Sequence, residues 1–183
     1  QSVILKAIEQ VATLQDFRKD FVQIVERHGW SHEGGRNWRS RVIFETNLRT
    51  SYQAGRFEQM KELAAERPFW RYRHGDSRKP RQEHLDWDGL VLRYDDPWWK
   101  THYPPNGWGC TCTVVALTEG EMKALGKKSP DRAPKEEWRR APPGLPDSRT
   151  PKGIDPGWAY NVGEAAAGQV KMLSKDELQG AKW

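Results

Sequence analysis

The chain has 183 residues, the size of one compact domain or of one domain with a small appendage. Only 36% are hydrophobic and 30% are charged, so ten Trp must supply much of the core's apolar area. No run approaches the roughly 18 to 20 apolar residues of a bilayer span, no charged-then-apolar leader opens the chain, and cysteines number two; a membrane protein and a disulfide scaffold are excluded, and the start at Gln1 leads us to expect a fragment or a processed product.

In chain order, Val3–Ala12 is apolar enough for a short helix. Leu14, Phe17, Phe21, Ile24 and Val25 then recur at three- and four-residue spacing, which predicts an amphipathic helix opening at Thr13 with Asp16 three residues on. Gly29, Gly34 and Gly35 mark a loop. A longer helix is expected from about Trp38 to Glu66, with Trp38, Val42, Leu48, Tyr52, Phe57, Met60, Leu63 and Ala64 within half the wheel. Ile43 and Phe44 fall outside that arc, so a second face is expected to be covered too. Pro68 ends the helix.

Beyond Pro68 the period becomes alternating. Trp70, Tyr72 and His74 alternate with Phe69, Arg71 and Arg73 in a half-exposed strand, and Gly75–Pro80 is a loop. Gly89–Tyr94 and Cys112–Leu117 are two further strands. Thr118 with Glu121 is a capping box opening a short helix to about Leu125. Between the last two strands lies Asp95–Gly109, a loop of Pro, Trp and Gly with few aliphatic residues, so its own packing is expected to be weak. After Gly126 seven prolines, from Pro130 to Pro156, punctuate the sequence. That region is expected to be an extended arm lying on a neighbour and anchored by Trp138 and Trp158; the last twenty residues could add one weak helix.

The expected fold is therefore α+β: N-terminal helices packed on a small, mainly antiparallel sheet, with an extended Pro-rich C-terminal arm. Residues 1–29 form a helical lead-in, 30–126 the core domain and 127–183 the arm.

The net charge of +5 is unevenly placed: Arg67, Arg71, Arg73, Arg78, Lys79 and Arg81 face only Asp76, an excess equal to that of the whole chain. Such a stripe suits nucleic-acid phosphates. It equally suits a solvated strand edge whose charge discourages pairing.

Cys110 and Cys112 are separated by one residue, a spacing that strains a disulfide but lets two thiolates share a metal. Tetrahedral zinc would set the sulfurs roughly 3.8 Å apart, within reach of positions i and i+2 on one strand face. Of five histidines, His102 lies eight residues before Cys110 in the Pro-rich loop and His84 lies before the second strand. A structural zinc on His84, His102, Cys110 and Cys112 would pin the long loop to the sheet. The competing reading makes the cysteines small buried hydrophobes and the histidines loop residues. Glu83, His84, Asp86 and Asp88 could serve acid–base chemistry, but such a cluster before Gly89 also reads as a turn. No phosphate loop, dinucleotide fingerprint, zinc-protease motif or nucleophile elbow is present.

Four blocks in order resemble the phage Mu F-like minor head protein family, the head morphogenesis domain of tailed phages: Arg41–Thr50 (RVIFETNLRT), Arg81–Gly89 (RQEHLDWDG), His102–Thr113 (HYPPNGWGCTCT) and Gly153–Asn161 (GIDPGWAYN). The resemblance runs from about Gly29 to Gly163, and the PPNGWGCxC segment is its most specific part. Thr111 departs from the Arg usual between the cysteines, and family members are usually longer at the amino end. The resemblance implies a non-enzymatic virion protein of the head, present in the host cytoplasm during assembly. Its expected partners are the portal and other head proteins and double-stranded DNA, with no membrane. Because the domain also occurs fused to toxin domains, the alternative is a metal-dependent nuclease or effector delivered with the phage DNA.

Overall fold

The computed structural model describes residues 13–28, 35–77, 79–144 and 149–168. The expected helix at Val3–Ala12, the loop around Gly29 and Gly34, and nearly all of the last twenty residues lie outside them. The chain forms two compact units, Gln1–Thr50 and Ser51–Trp183.

In the first unit, α1 (Leu14–His28) starts where the sequence places it. The Asp16 N–H donates to Thr13 Oγ1 (3.3 Å) and the Thr13 N–H to Asp16 Oδ2 (3.2 Å), satisfying two donors a helix start leaves open. Phe17 and Phe21 are buried, whereas Ile24 is exposed. Phe17 packs on Phe44 of α2 (Arg36–Glu62), with ring centroids 5.3 Å apart. Arg18 bonds Ser40 Oγ and the Asn37 carbonyl, both at 3.3 Å. The second face of the long helix is thus covered at Phe44.

The apolar arc expected for the long helix needs correction. Trp38, Leu48, Tyr52 and Leu63 are exposed, and the buried positions are Ser40, Thr46, Gln53, Phe57, Met60 and Ala64. Two of the polar side chains on the inward stripe have bonds there: Ser40 Oγ accepts from Arg18 Nε and Gln53 Nε2 donates to the Cys112 carbonyl (3.4 Å). Counting apolar residues therefore selected the wrong face along half the helix.

In the second unit β1 (Phe69–Arg73) is the centre of a three-stranded antiparallel sheet, flanked by β2 (Val91–Arg93) and β3 (Thr113–Leu117). Alternation along β1 sends Trp70 and Tyr72 inward, in register with Leu92, Ala116 and Val114. The other face carries Phe69, Val91 and Leu117 under Met122 of α5 (Glu119–Ala124), whose capping box of Thr118 and Glu121 forms as expected. Single-turn helices α3 (Gln82–Asp86) and α4 (Trp99–His102) interrupt the connections. A second small ladder pairs β4 (Trp138–Arg140) with β5 (Arg149–Pro151).

The Asp95–Gly109 loop reverses its expected weakness. Trp98, Trp99 and all of residues 102–107 are buried. Trp70 meets Phe57, Trp99 and Tyr103 at centroid distances of 5.5, 5.8 and 6.0 Å. Irregular backbone tolerates this burial because the polar tips are used: Trp99 Nε1 donates to the Arg93 carbonyl (2.9 Å) and Tyr103 Oη to that of Gln53 (3.2 Å). Of the two expected arm anchors, Trp158 is buried against Trp108 (5.4 Å) in the core of its own unit, together with Ile154 and Val162, while Trp138 is 44% exposed.

Candidate metal centre

Three fully enclosed side chains meet behind the sheet: His84 from α3, and Cys110 and Cys112 from the extended run into β3. Their ligand atoms lie within 4.8 Å of one another. His84 Nε2 sits 2.8 Å from the Gly153 carbonyl, and a carbonyl can only accept, so Nε2 carries the proton. Nδ1 faces the sulfurs, 3.4 Å from Cys112 and 3.8 Å from Cys110. A backbone carbonyl fixing the tautomer and leaving the other nitrogen toward thiols is the outer arrangement metal-binding histidines use.

The Cys110 thiol donating to Cys112 holds Cys110 well above the usual thiol range, and burial adds to the rise. The same bond brings Cys112 below it, against the opposing effect of burial and with help from His84. Burial first, and the neighbouring thiols second, push the Tyr72 phenol well above its ordinary value.

His102 does not join this cluster. The Trp87 indole stands between, its ring centroid 5.2 Å from that of His84 and 5.0 Å from that of His102. His102 instead stacks on Trp98 at 4.2 Å, bonds Thr101 Oγ1 (2.8 Å) and lies 3.6 Å from Glu136. Burial lowers its pKa to about 4, so it is neutral at pH 7. The structure thus brings together three of the four expected ligands.

Several residues around the cluster escaped the sequence reading. Gly153 lies at φ +85°, and a Cβ there would come within 2.7 Å of Glu83 and Trp87, so only glycine delivers the carbonyl to His84 without strain. Asp155 accepts from Arg81 and from the Trp108 N–H (3.0 Å), and its own N–H donates to the Asn106 carbonyl (3.0 Å). Tyr72 Oη donates to Asn106 Oδ1 at 2.9 Å. Apart from Tyr72, all of these residues lie in the sequence blocks quoted above.

The comparisons with known proteins converge on the same family. A family model described as "Phage Mu protein F like protein" matches residues 1–115. The chain belongs to the phage Mu F-like family. It is 32% identical to "Putative capsid assembly protein F" of Escherichia phage Mu over 197 aligned positions, covering 92% of this chain and 45% of that protein. It is 37% identical to "Mu-like prophage FluMu F protein" of Haemophilus influenzae, covering 75% of this chain and 37% of that protein. The chain therefore spans less than half the length of either Mu F-like relative. No solved structure gave a significant match.

The basic stripe is partly spent on the fold of this Mu F-like chain. Arg67 pairs with Glu121 (2.8 Å) and the Ala116 carbonyl (3.0 Å), and Arg81 with Asp155. Arg71 and Arg73 project from the outer face of β1, Arg73 exposed, and Lys79 is exposed in the following loop; Arg78 lies outside the described residues. The acid–base candidates also have structural roles. Asp88 accepts the His74 N–H (2.9 Å), Asp86 accepts Gln82 Nε2 (2.8 Å), and Glu83 faces Lys152 (3.9 Å). No helix of the described residues is long and apolar enough to cross a membrane.

Proposed function

We propose that the chain is a portion of a tailed-phage minor head protein, which acts structurally in head assembly with the portal and other head proteins and resides in the virion head after assembly in the host cytoplasm. The observation that carries this reading is the match across 92% of the chain to a protein named for capsid assembly. The exposed Trp38, Leu48 and Tyr52 along α2, with Leu63 just past its end, support contact with other proteins. Localising the chain in purified particles tests the reading: a Mu F-like protein absent from heads at every stage of assembly overturns it.

The His/Cys cluster takes, in this reading, a structural zinc ion that ties α3 to the run into β3, just past the end of the Asp95–Gly109 loop. Two thiol donors and an imidazole nitrogen are the donor set zinc prefers. Elemental analysis of the purified chain should find about one zinc, lost on Cys112→Ser. The delivered-nuclease alternative is tested by incubating the protein with plasmid and Mg²⁺, Mn²⁺ or Zn²⁺; metal-dependent cleavage abolished by His84→Ala would favour it.

Contact with packaged DNA is the finer proposal, now centred on Arg71, Arg73 and Lys79. Binding should weaken with salt at a log–log slope near −0.9 per phosphate neutralised. Replacing all three by Ala should flatten that slope by up to about three. Unchanged binding at every salt concentration would assign these cations to another role.

A further inference from the structure

We infer that the metal at this centre takes three protein ligands and one oxygen from solvent, and that Asn106 is the positioning residue for that oxygen. The inference rests on the zinc reading above and deepens it. Zinc in such sites is four-coordinate, yet among the described residues only His84, Cys110 and Cys112 bring ligand atoms together. His102 is held on the far side of Trp87. The Tyr72 hydroxyl is near the sulfurs, but its proton is given to Asn106 Oδ1, so it remains a phenol rather than an anionic ligand.

Asn106 is completely buried, and its polar groups bond residues that stand beside the centre. Its side-chain oxygen accepts from Tyr72 and its carbonyl accepts from Asp155, whose carboxylate also holds Arg81 and the Trp108 N–H. What remains is the side-chain NH₂, which is buried and has no acceptor among the described residues. A buried amide nitrogen without an acceptor is rare in folded proteins and calls for an explanation. A water or hydroxide on the metal supplies one, because it offers lone pairs at the coordination position the protein leaves open. Such outer partners of metal ligands typically affect metal affinity 10- to 100-fold when removed.

The test uses the full chain loaded with zinc, and then with Co²⁺ as a visible reporter. X-ray absorption at the zinc edge should give two sulfurs at about 2.3 Å and two nitrogen or oxygen scatterers at about 2.0–2.2 Å, with outer-shell scattering of one imidazole only. Asn106→Ala should weaken metal binding by about 10- to 100-fold and shift the Co²⁺ ligand-field bands. Asn106→Asp, which keeps the acceptor for Tyr72 but lacks the N–H donor, should not restore the parent's Co²⁺ bands. His102→Ala should leave spectrum and affinity as in the parent. Two imidazoles in the scattering, or a third sulfur, would overturn the inference while leaving the zinc reading standing. So would an Asn106→Ala chain with the parent's Co²⁺ spectrum and affinity. A parent chain that binds neither metal would overturn both.

Discussion

Residues 14–50 and residues 51–168 are held together by different means. In the first unit, burial comes from aromatic side chains at helical spacing, Phe17 and Phe21 on one helix and Phe44 on the next, and the helix start is secured by a local cap. In the second, the deepest side chains belong to short strands and to backbone with little regular structure: Trp70, Trp99, Tyr103, Asn106 and Ile154. Regular hydrogen bonding is thus no guide to where the core is densest. A segment poor in helix and strand becomes core when its side chains are large and its carbonyls and N–H groups have partners elsewhere.

The strongest way to sharpen this contrast is to remove the proposed ion. Chelation, or Cys112→Ser, should cost the second unit several kcal/mol, against on the order of 10 in small zinc-dependent peptides. Melting temperature should fall and Trp emission shift to the red, while most helical circular dichroism persists. Melting unaffected by chelator would mean the thiols are ordinary core groups. Next in size, Trp70→Ala removes a ring that touches four other aromatic residues and should cost about 3–5 kcal/mol. Phe17→Ala in the first unit should cost less in chemical denaturation. Equal losses would erase the distinction drawn between the two regions.

Acid offers a third handle. His102 has a folded pKa of about 4 against 6.5 when unfolded, so the unfolded chain binds more protons between those values. Stability should be intact above pH 6.5 and fall as pH drops toward 4, by roughly 3 kcal/mol at most from this residue. His102→Gln should flatten that part of the stability-against-pH curve, and an unchanged slope would put the acid sensitivity elsewhere. The smallest expected effect is at the caps. Thr118→Ala and Thr13→Ala should each cost about 1 kcal/mol, the first registering on the sheet unit and the second on the helical one.

What the sequence discloses follows the range of the interaction. The capping pairs Thr13/Asp16 and Thr118/Glu121 and the alternation of Trp70 and Tyr72 are set by neighbours a few positions away, and all appear in the structure, whereas the long helix stops at Glu62 and does not run on to Glu66 before Pro68. His84, Cys110 and Cys112 were legible as donors because few residue types bind zinc and only two cysteines exist. His102 was misplaced because nothing in its spacing reveals the Trp87 ring between it and His84. Gly153, Asp155 and Asn106 act across separations of 34 to 74 residues, through backbone groups as well as side chains, and residue type alone carries no such information. Their only advance signal is that they lie inside the blocks that resemble the family.

The bond from His84 to the Gly153 carbonyl has a consequence for the order in which the molecule is made. A ribosome delivers His84, Cys110 and Cys112 well before residue 153, and the Ile154 and Trp158 side chains later still. While synthesis is under way, the histidine lacks the acceptor that fixes its tautomer, and the aromatic core lacks its closing side chains. The cluster therefore cannot take its final form on a chain that ends before this block.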